Sequence, residues 1–437
     1  MKIVVTGGAG FIGSHFVHRL LDGRNEPFAD AEVHVLDKLT YAGSWDNLAG
    51  LVDPRLTLVT GDVCDEHVVR RTLEGADAVV HFAAESHVDR SIAGGTAFVT
   101  SNVLGTVTLL EAATDAGVGR MVHVSTDEVY GSVAEGCSRE DDPLDPSSPY
   151  SASKASADLL VLAYGRTHGL DVRVVRPTNT YGPRQYPEKI IPLFVTNLLA
   201  GRKVPLYGDG QQVREWLHVD DHCRAVQLVL EDGQPGAVYN VGGGHHLTNR
   251  ELTERLLIAC GRDWSFVDAV PDRPGSDRRY AVDTARIASE LSFKPDVDFD
   301  TGLARTVAWY RENRDWWERR VVTTRSPWRR PPLPPRPSSS VPAPRSGAEV
   351  LAPAADARPT VGSDQSLVAA VGAYVSCALA IVVALPAALL LMREGQPVLG
   401  SSCSVLGSLV LAGKTRHLRR PRFTVRAAAS AQLTPPG

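Results

Sequence analysis

The first 37 residues confine the chain to one kind of architecture. A β-branched run, Lys2-Ile3-Val4-Val5-Thr6, meets Gly7, Gly10 and Gly13, and the last two bracket the start of an apolar helical stretch over Phe11–Leu21. Glycines in this spacing allow a tight strand-to-helix turn and close backbone approach to a pyrophosphate, which the free N–H groups and dipole of the helix start also favour. An ordinary strand–turn–helix carries similar glycines, so the context has to decide. The next strand, residues 33–36, ends at Asp37, 24 residues after Gly13. A carboxylate there accepts ribose hydroxyls and repels a 2′-phosphate, which selects NAD over NADP. Further strands at 56–59, 78–82 and 121–124 each precede a helical stretch, and the first leads to Asp62-Val63, where Asp62 can meet an adenine amine. The pattern predicts an α/β, Rossmann-type, doubly wound parallel sheet, with ligands beyond the carboxyl ends of its strands.

Thr126-Asp127-Glu128 stands at one such strand end, and Tyr150 and Lys154 follow a loop later. A tyrosine hydroxyl, with an ordinary pKa of about 10, is a poor base near neutrality unless its anion is stabilised. Lys154 lies one helical turn on and projects to the same face. Its charge, with that of an oxidised nicotinamide, lowers the tyrosine so that it takes an alcohol proton while hydride leaves. Alcohol oxidation needs no further acid and base, whereas removal of water does. The plainer expectation for Asp127 and Glu128 is that they cap the next turn. Two adjacent carboxyls with opposite roles require different environments.

At this point the residues resemble a known family. Residues 1–320 are similar to extended short-chain dehydrogenase/reductases, and within them to the dTDP-glucose 4,6-dehydratases of deoxysugar pathways. The matches are Thr-Gly-Gly-Ala-Gly-Phe-Ile-Gly-Ser at 6–14, Ala-Glu-Ser-His-Val-Asp-Arg-Ser at 84–91, Ser-Thr-Asp-Glu-Val-Tyr-Gly at 125–131 and Pro-Tyr-Ser-Ala-Ser-Lys at 149–154. Tyr-Gly-Pro-Arg-Gln-Tyr-Pro-Glu-Lys at 181–189 and Tyr-Gly-Asp-Gly at 207–210 extend them. The resemblance implies a cycle on one sugar: C4 is oxidised with Tyr150, Glu128 removes the C5 proton, Asp127 protonates the departing C6 hydroxyl, and hydride returns to C6. Thr126 and Lys154 complete the catalytic set. It further implies that NAD is held by Gly7, Gly10, Phe11, Ile12, Gly13, Asp37, Lys38, Asp62, Val63, Ala83 and Ala84 with Tyr150 and Lys154. The substrate falls to Glu85, Ser86, His87, Arg90 and Asn179 on the sugar side and to Glu188, Lys189, Arg214 and Asn249 at the nucleoside diphosphate. Arg273 and Tyr280 belong to a later substrate segment. Arginine suits a diphosphate through its planar fork of donors. The family usually has histidine where this chain has Ser276, which puts one substrate contact in doubt. Thr178 and Thr180 flank Asn179 where serine and asparagine are commoner. The family also dimerises through two helices, here near 98–116 and 151–168.

The histidines show no metal-ligand spacing, and the chemistry requires no metal. Cysteines 64, 137, 223, 260, 377 and 403 are scattered without a paired pattern, which fits a reducing cytosol, and no signal peptide is expected before the first strand. Residues 1–321 suffice for the catalytic unit, with NAD bound mainly by 1–180 and substrate by a smaller C-terminal domain, mainly 181–321, with the chain crossing between them. Of 46 Lys+Arg and 50 Asp+Glu, 13 and 4 lie beyond residue 321, so the net −4 divides into +9 there and −13 in the catalytic unit. The acidic unit speaks against nucleic-acid binding. Residues 322–364 read as a proline-rich disordered linker. Residues 365–413 carry an uncharged apolar stretch, 367–392, long enough to span a bilayer. Residues 414–437 form a basic tail, and Lys414, Arg416, Arg419 and Arg420 favour the cytoplasmic face of a membrane. Membrane attachment at 365–426, a disordered extension and a fusion or reading-frame artefact all remain open for this tail. For the catalytic unit, other readings are a dehydratase, epimerase or decarboxylase acting on another nucleotide sugar, and a catalytically silent NAD-binding scaffold. The family's epimerases lack the Asp127-Glu128 pair.

Overall fold

Strand β1 (Lys2–Thr6) has no polar face. Ile3 and Val5 point into one apolar layer with Phe16, Val17 and Leu20, while Val4 points into the opposite layer with Val79, Leu109 and Met121. A strand buried on both faces reads as a continuous apolar run, because helices cover both sides of a parallel sheet. The computed structural model describes residues 1–22 and 26–321. The expectations for 322–437, with Cys377 and Cys403, lie outside the described residues.

The further strands are β2 (Glu32–Asp37), β3 (Leu56–Thr60), β4 (Ala78–His81), β5 (Arg120–Val124), β6 (Val172–Pro177), β7 (Asn179–Tyr181), β8 (Val204–Tyr207), β9 (Val213–His218), β10 (Val238–Val241), β11 (His245–Thr248) and β12 (Val267–Val270). Six of these and β1 form one parallel sheet in the order β10-β6-β5-β4-β1-β2-β3, the doubly wound arrangement expected. The order reverses between β1 and β4, and ligands of such sheets bind at that switch point. β10 joins this sheet from far along the chain, after β7, β8 and β9 have left it. Those three build the smaller half with β11 and β12, as a β11-β9-β7 sheet and a β12-β8 pair. A separate apolar core with Phe194, Trp216, Leu252, Phe299, Tyr310 and Trp317 supports that half.

Two helical segments frame the site. Pro149–His168 begins with Ser148 as N-cap, whose hydroxyl accepts from the Ser151 N–H at 3.1 Å in a capping box, and with Pro149 in the first turn. This start fixes Tyr150 in the first turn. The other segment, expected near 98–116, runs from Thr96–Phe98 through a widened turn, Val99–Leu104, into Gly105–Asp115. In the widened turn Asn102 is buried. Its side chain accepts from the Glu85 N–H and donates to Glu85 O and to Ser153 Oγ, at 2.8, 2.9 and 2.8 Å. The amide thereby joins the chain after β4 to the Pro149–His168 helix.

The terminal helix Arg314–Val321 is part of this unit. Trp317 is 1% exposed and its indole N–H donates to Tyr310 O at 2.7 Å. Trp317→Ala is expected to lower the unfolding free energy by about 3–5 kcal/mol, measured by urea unfolding. A change within error would place the end of the folded unit earlier in the chain.

Candidate active site

The carboxyl ends of β1, β2, β4 and β5 open on one cavity of about 430 Å³, walled on its other side by the smaller half. At the β1 end the backbone is crowded. A Cβ on Gly7, whose φ is +69°, would lie 2.6 Å from Ala83 N, and one on Gly13 would lie 2.3 Å from Gly7 O. Only glycine permits this turn. Gly10 caps the helix Phe11–Leu21 with no side-chain hydrogen bond, which leaves the first N–H groups for a ligand. Asp37 closes the far side, its carboxylate accepting from Ala9 N–H at 3.0 Å and Leu39 N–H at 2.8 Å. Lys38 pairs with Asp62 at 2.5 Å. This cradle, with an anion-seeking helix start at one end and a buried carboxylate at the other, fits a dinucleotide.

At the β5 end, Thr126, Glu128, Tyr150 and Lys154 line the same cavity. Lys154 is buried and donates to Val124 O at 2.8 Å. Burial pushes it down to about 8, and the nearby Asp158 carboxylate opposes that shift. Tyr150, Lys154 and Asp158 succeed one another at single-turn intervals on one helix face. Asp158 pairs with Arg176 at 2.9 Å, and His123 Nε2 lies 3.5 Å from Asp158 and 3.4 Å from Lys154 Nζ. Tyr150 stands above the ordinary phenol value, raised by burial and by the charges of Glu128 and Asp127, against a hydrogen bond with Thr126 that lowers it. The groups around the tyrosine together therefore leave it raised, against the expectation that Lys154 lowers it.

The two adjacent carboxyls have different surroundings. Asp127 is 2% exposed and does not line the cavity. Burial, then the charges of Glu128 and Glu215, raise it well above the ordinary carboxylate value and so favour its acid form. Glu128 faces the cavity. Burial raises it too, but Lys189, Arg273 and Arg214 pull it back toward the ionised form.

The smaller half supplies cations. Arg214 stacks on the Tyr280 ring at 4.3 Å, and Tyr280 donates to Asp277 at 2.5 Å. Arg273 pairs with Asp89 at 3.2 Å, and Lys189 donates to Ser86 O at 2.5 Å. Asn179, Asn249, Glu85, His87 and Glu188 share the cavity wall, whereas Arg90 does not. Arg90 stands beside the wall, its guanidinium 3.6 Å from the centre of the Tyr41 ring and 3.3 Å from Glu188, which also accepts from the Tyr41 hydroxyl at 2.9 Å. Ser276, set apart above for its departure from the family, lines the cavity as well. Sequence reasoning passed over Tyr186, Tyr207, Gln212 and Trp216, which line it too. All but Gln212 sit inside motifs already quoted or in the run that follows Arg214, so the signal was proximity to assigned residues.

A family model described as GDP-mannose 4,6 dehydratase matches residues 4–306. The chain belongs to that family. It is 60% identical over 319 residues to the dTDP-glucose 4,6-dehydratase of Streptomyces antibioticus, covering 73% of this chain and 95% of the relative. The corresponding protein of Streptomyces niveus is 57% identical over the same length, again covering 73% of this chain and 95% of the relative. Among solved structures, the dTDP-glucose 4,6-dehydratase DesIV of Streptomyces venezuelae, determined with NAD bound, superposes with a TM-score of 0.73 at 60% identity over 73% of this chain and 100% of its own. A UDP-glucose 4-epimerase of Thermotoga maritima superposes at 0.66 with 32% identity, over 71% of this chain and 99% of its own. The family fold thus hosts dehydratases and epimerases, and the chemistry must be read from the site.

Gly13→Ala is expected to abolish retention of the dinucleotide, because the added methyl meets Gly7 O and distorts the turn. Nucleotide released from the denatured, purified protein measures this, and wild-type content in the variant would contradict the assignment.

Proposed function

We infer that this chain is an NAD-dependent hydro-lyase that converts dTDP-glucose to dTDP-4-keto-6-deoxy-glucose. The observation that carries the reading is one cavity wall holding Tyr150 and Lys154 with Glu128, backed by Asp127, whose acid form burial favours. The high identity to dehydratases along nearly their whole length supports it. Gly7, Gly10, Phe11, Ile12, Gly13, Asp37, Lys38, Asp62, Val63, Ala83 and Ala84 would hold NAD. When bound, NAD accepts hydride from C4 of the sugar and later gives it to C6.

The chain's own groups handle the protons. Tyr150, as phenolate, takes the C4 hydroxyl proton. Lys154 holds the positive charge that favours the phenolate. The 4-keto group acidifies C5, and Glu128 removes that proton. Asp127 gives its proton to the C6 hydroxyl, which departs as water. Glu128 returns its proton to C5. Arg214, Arg273 and Lys189 bring positive charge to the diphosphate, with Asn179, Asn249, Glu85, Ser86, His87, Glu188 and Tyr280 around the sugar and nucleoside, while Arg90 stands beside the wall and pairs with Glu188. An epimerase needs neither Asp127 nor Glu128, so the pair favours dehydration.

Two further readings concern association. Val99, Leu104 and Leu159 are 56%, 52% and 61% exposed on the two helical segments that family members use to dimerise, which supports a homodimer. A membrane contact through 365–426 rests on the apolar and basic composition of that stretch alone. No helix of the described residues is long and apolar enough to cross a membrane.

Full-length protein incubated with dTDP-glucose is expected to give a product lighter by one water, a 4-keto-6-deoxy sugar by mass spectrometry and NMR. Unchanged or epimerised sugar would overturn the reading. Asp127→Asn and Glu128→Gln are each expected to lower kcat by about 10²–10⁴-fold, with reduced nicotinamide building up because oxidation precedes elimination. Normal turnover in either would exclude its role. Lys154 is charged below its pKa of about 8 and neutral above it. The rate of C4 oxidation is therefore expected to fall as pH rises through that value, followed by stopped-flow absorbance of the reduced cofactor. A rate unaffected by pH there would remove the charge of Lys154 from the mechanism.

A further inference from the structure

Lys154 is 3% exposed, and among the described residues no carboxylate pairs with its ammonium directly. Asp158, one turn further along the helix, is committed to Arg176 at 2.9 Å. An ammonium has three N–H donors and no acceptor. One donates to Val124 O at 2.8 Å, and a second meets His123 Nε2 at 3.4 Å. Both partners belong to β5. The third N–H is left for the cavity, whose wall Lys154 joins.

Two buried histidines lie side by side here, His81 on β4 and His123 on β5, with ring centres 5.2 Å apart. His81 is held at both nitrogens. Thr106 gives its hydroxyl proton to Asn102 O at 2.6 Å, so its oxygen accepts from His81 Nε2 at 3.1 Å. His81 Nδ1 then accepts from the Thr6 hydroxyl at 2.7 Å. His123 is built differently. Its Nδ1 has no hydrogen-bond partner among the described residues. Its Nε2 lies 3.5 Å from Asp158 Oδ1, yet that oxygen also has no hydrogen-bond partner, so no ring N–H is aimed at it. Among the described residues, the one hydrogen bond of the His123 ring is therefore with Lys154. An ammonium only donates, so Nε2 presents its lone pair and the ring proton sits on Nδ1. Either tautomer leaves Nδ1 orphaned, at a cost. The needs of the histidine itself do not explain that arrangement, and the lysine in front of it does.

We propose that His123 is a positioning residue for the oxidation of C4: its Nδ1–H tautomer holds Lys154 as the ammonium and leaves the third N–H of that ammonium directed to the cavity. Loss of the lysine proton would set an amine lone pair against the Nε2 lone pair. Relief would require the ring to exchange its proton from Nδ1 to Nε2, and at 0% exposure the ring has no access to solvent for that exchange. Burial and the charges of Lys154 and Arg176 keep the imidazole neutral, against Asp158. The other titratable groups around the pair are Tyr150 on the helix, His81 on β4, and Asp127 and Glu128 after β5. The proposal rests on the function proposed above.

The test mixes full-length, NAD-loaded protein with dTDP-glucose and follows the first appearance of reduced cofactor across pH. In wild type the rate is expected to fall as pH rises through about 8. His123→Phe keeps a ring of similar size and removes the acceptor. A lysine that loses an acceptor for its charged form is lowered, so the fall is expected about one to two pH units earlier. The rate near neutrality then drops about 10-fold or more, while the rate at low pH and the dependence on dTDP-glucose concentration stay near wild type. His123→Gln places an amide oxygen close to the Nε2 position and is expected to restore the profile. A His123→Phe rate lowered equally at every pH, an unshifted profile, or no rescue by His123→Gln overturns the proposal. If His123→Phe does not fold, the wild type decides. Long-range proton–nitrogen NMR of isotope-labelled histidine side chains, without substrate, is expected to show the His123 ring, whose signals His123→Gln lacks, protonated at Nδ1. Protonation at Nε2 in an active enzyme overturns the positioning role alone. Wild-type protein that never reduces its cofactor with dTDP-glucose overturns the proposed function and the positioning role together, so the two failures are distinguishable.

Discussion

One hydrogen bond, from the Lys154 ammonium to the Val124 carbonyl, ties the helix that carries the tyrosine to the strand that carries the carboxyls. The bond can form because the helix starts at Pro149 under a Ser148 cap, which sets the rotation of every later residue. Once Lys154 meets the end of β5, Tyr150 must face Thr126 one turn earlier, and Asp158 must sit under His123 one turn later. The buried Asp158–Arg176 pair and the neutral His123, pushed down to about 4 by burial, fill the space behind the lysine with fixed dipoles and charges. A buried ammonium is costly, and this surrounding polar network offsets the cost.

Burial also explains how neighbouring carboxyls acquire opposite tasks. Asp127 and Glu128 are consecutive, so the short turn that begins at Thr126 sends their side chains in different directions. One enters the protein, where burial and the charge of Glu215 favour its acid form. The other enters the cavity, where Lys189, Arg214 and Arg273 favour its anion. Epimerases and dehydratases share this fold, and nothing in the sheet itself chooses between their reactions. On the function proposed here, the choice lies in these two side chains and the charges that the smaller half sets around them.

The fold was legible because its signals are local. A β-branched run into a glycine turn, a strand ending at Asp37 and the repeated strand–helix alternation each depend on neighbours in sequence. The Tyr150–Lys154 face follows from helical spacing, and the cavity places Thr126 and Glu128 opposite it. What was not legible depends on contacts between distant segments. Part of the upward shift of Asp127 comes from Glu215, 88 residues on. The placement of Arg90 beside the cavity depends on Tyr41 and Glu188. The unlowered tyrosine depends on the sum of several charges and on burial, which spacing does not reveal. The Asn102 bridge required a widened helical turn that no composition signal marks.

The Tyr41–Glu188–Arg90 cluster joins the loop that follows Asp37 to the segment that enters the substrate side. These two stretches lie 147 residues apart in sequence and are clasped by a phenol, a carboxylate and a guanidinium rather than by backbone. A redox partner that is regenerated inside the site has no reason to leave between cycles, and a side-chain clasp suits that economy. Removing any one of the three side chains would leave the other two without the partner that ties these distant stretches together.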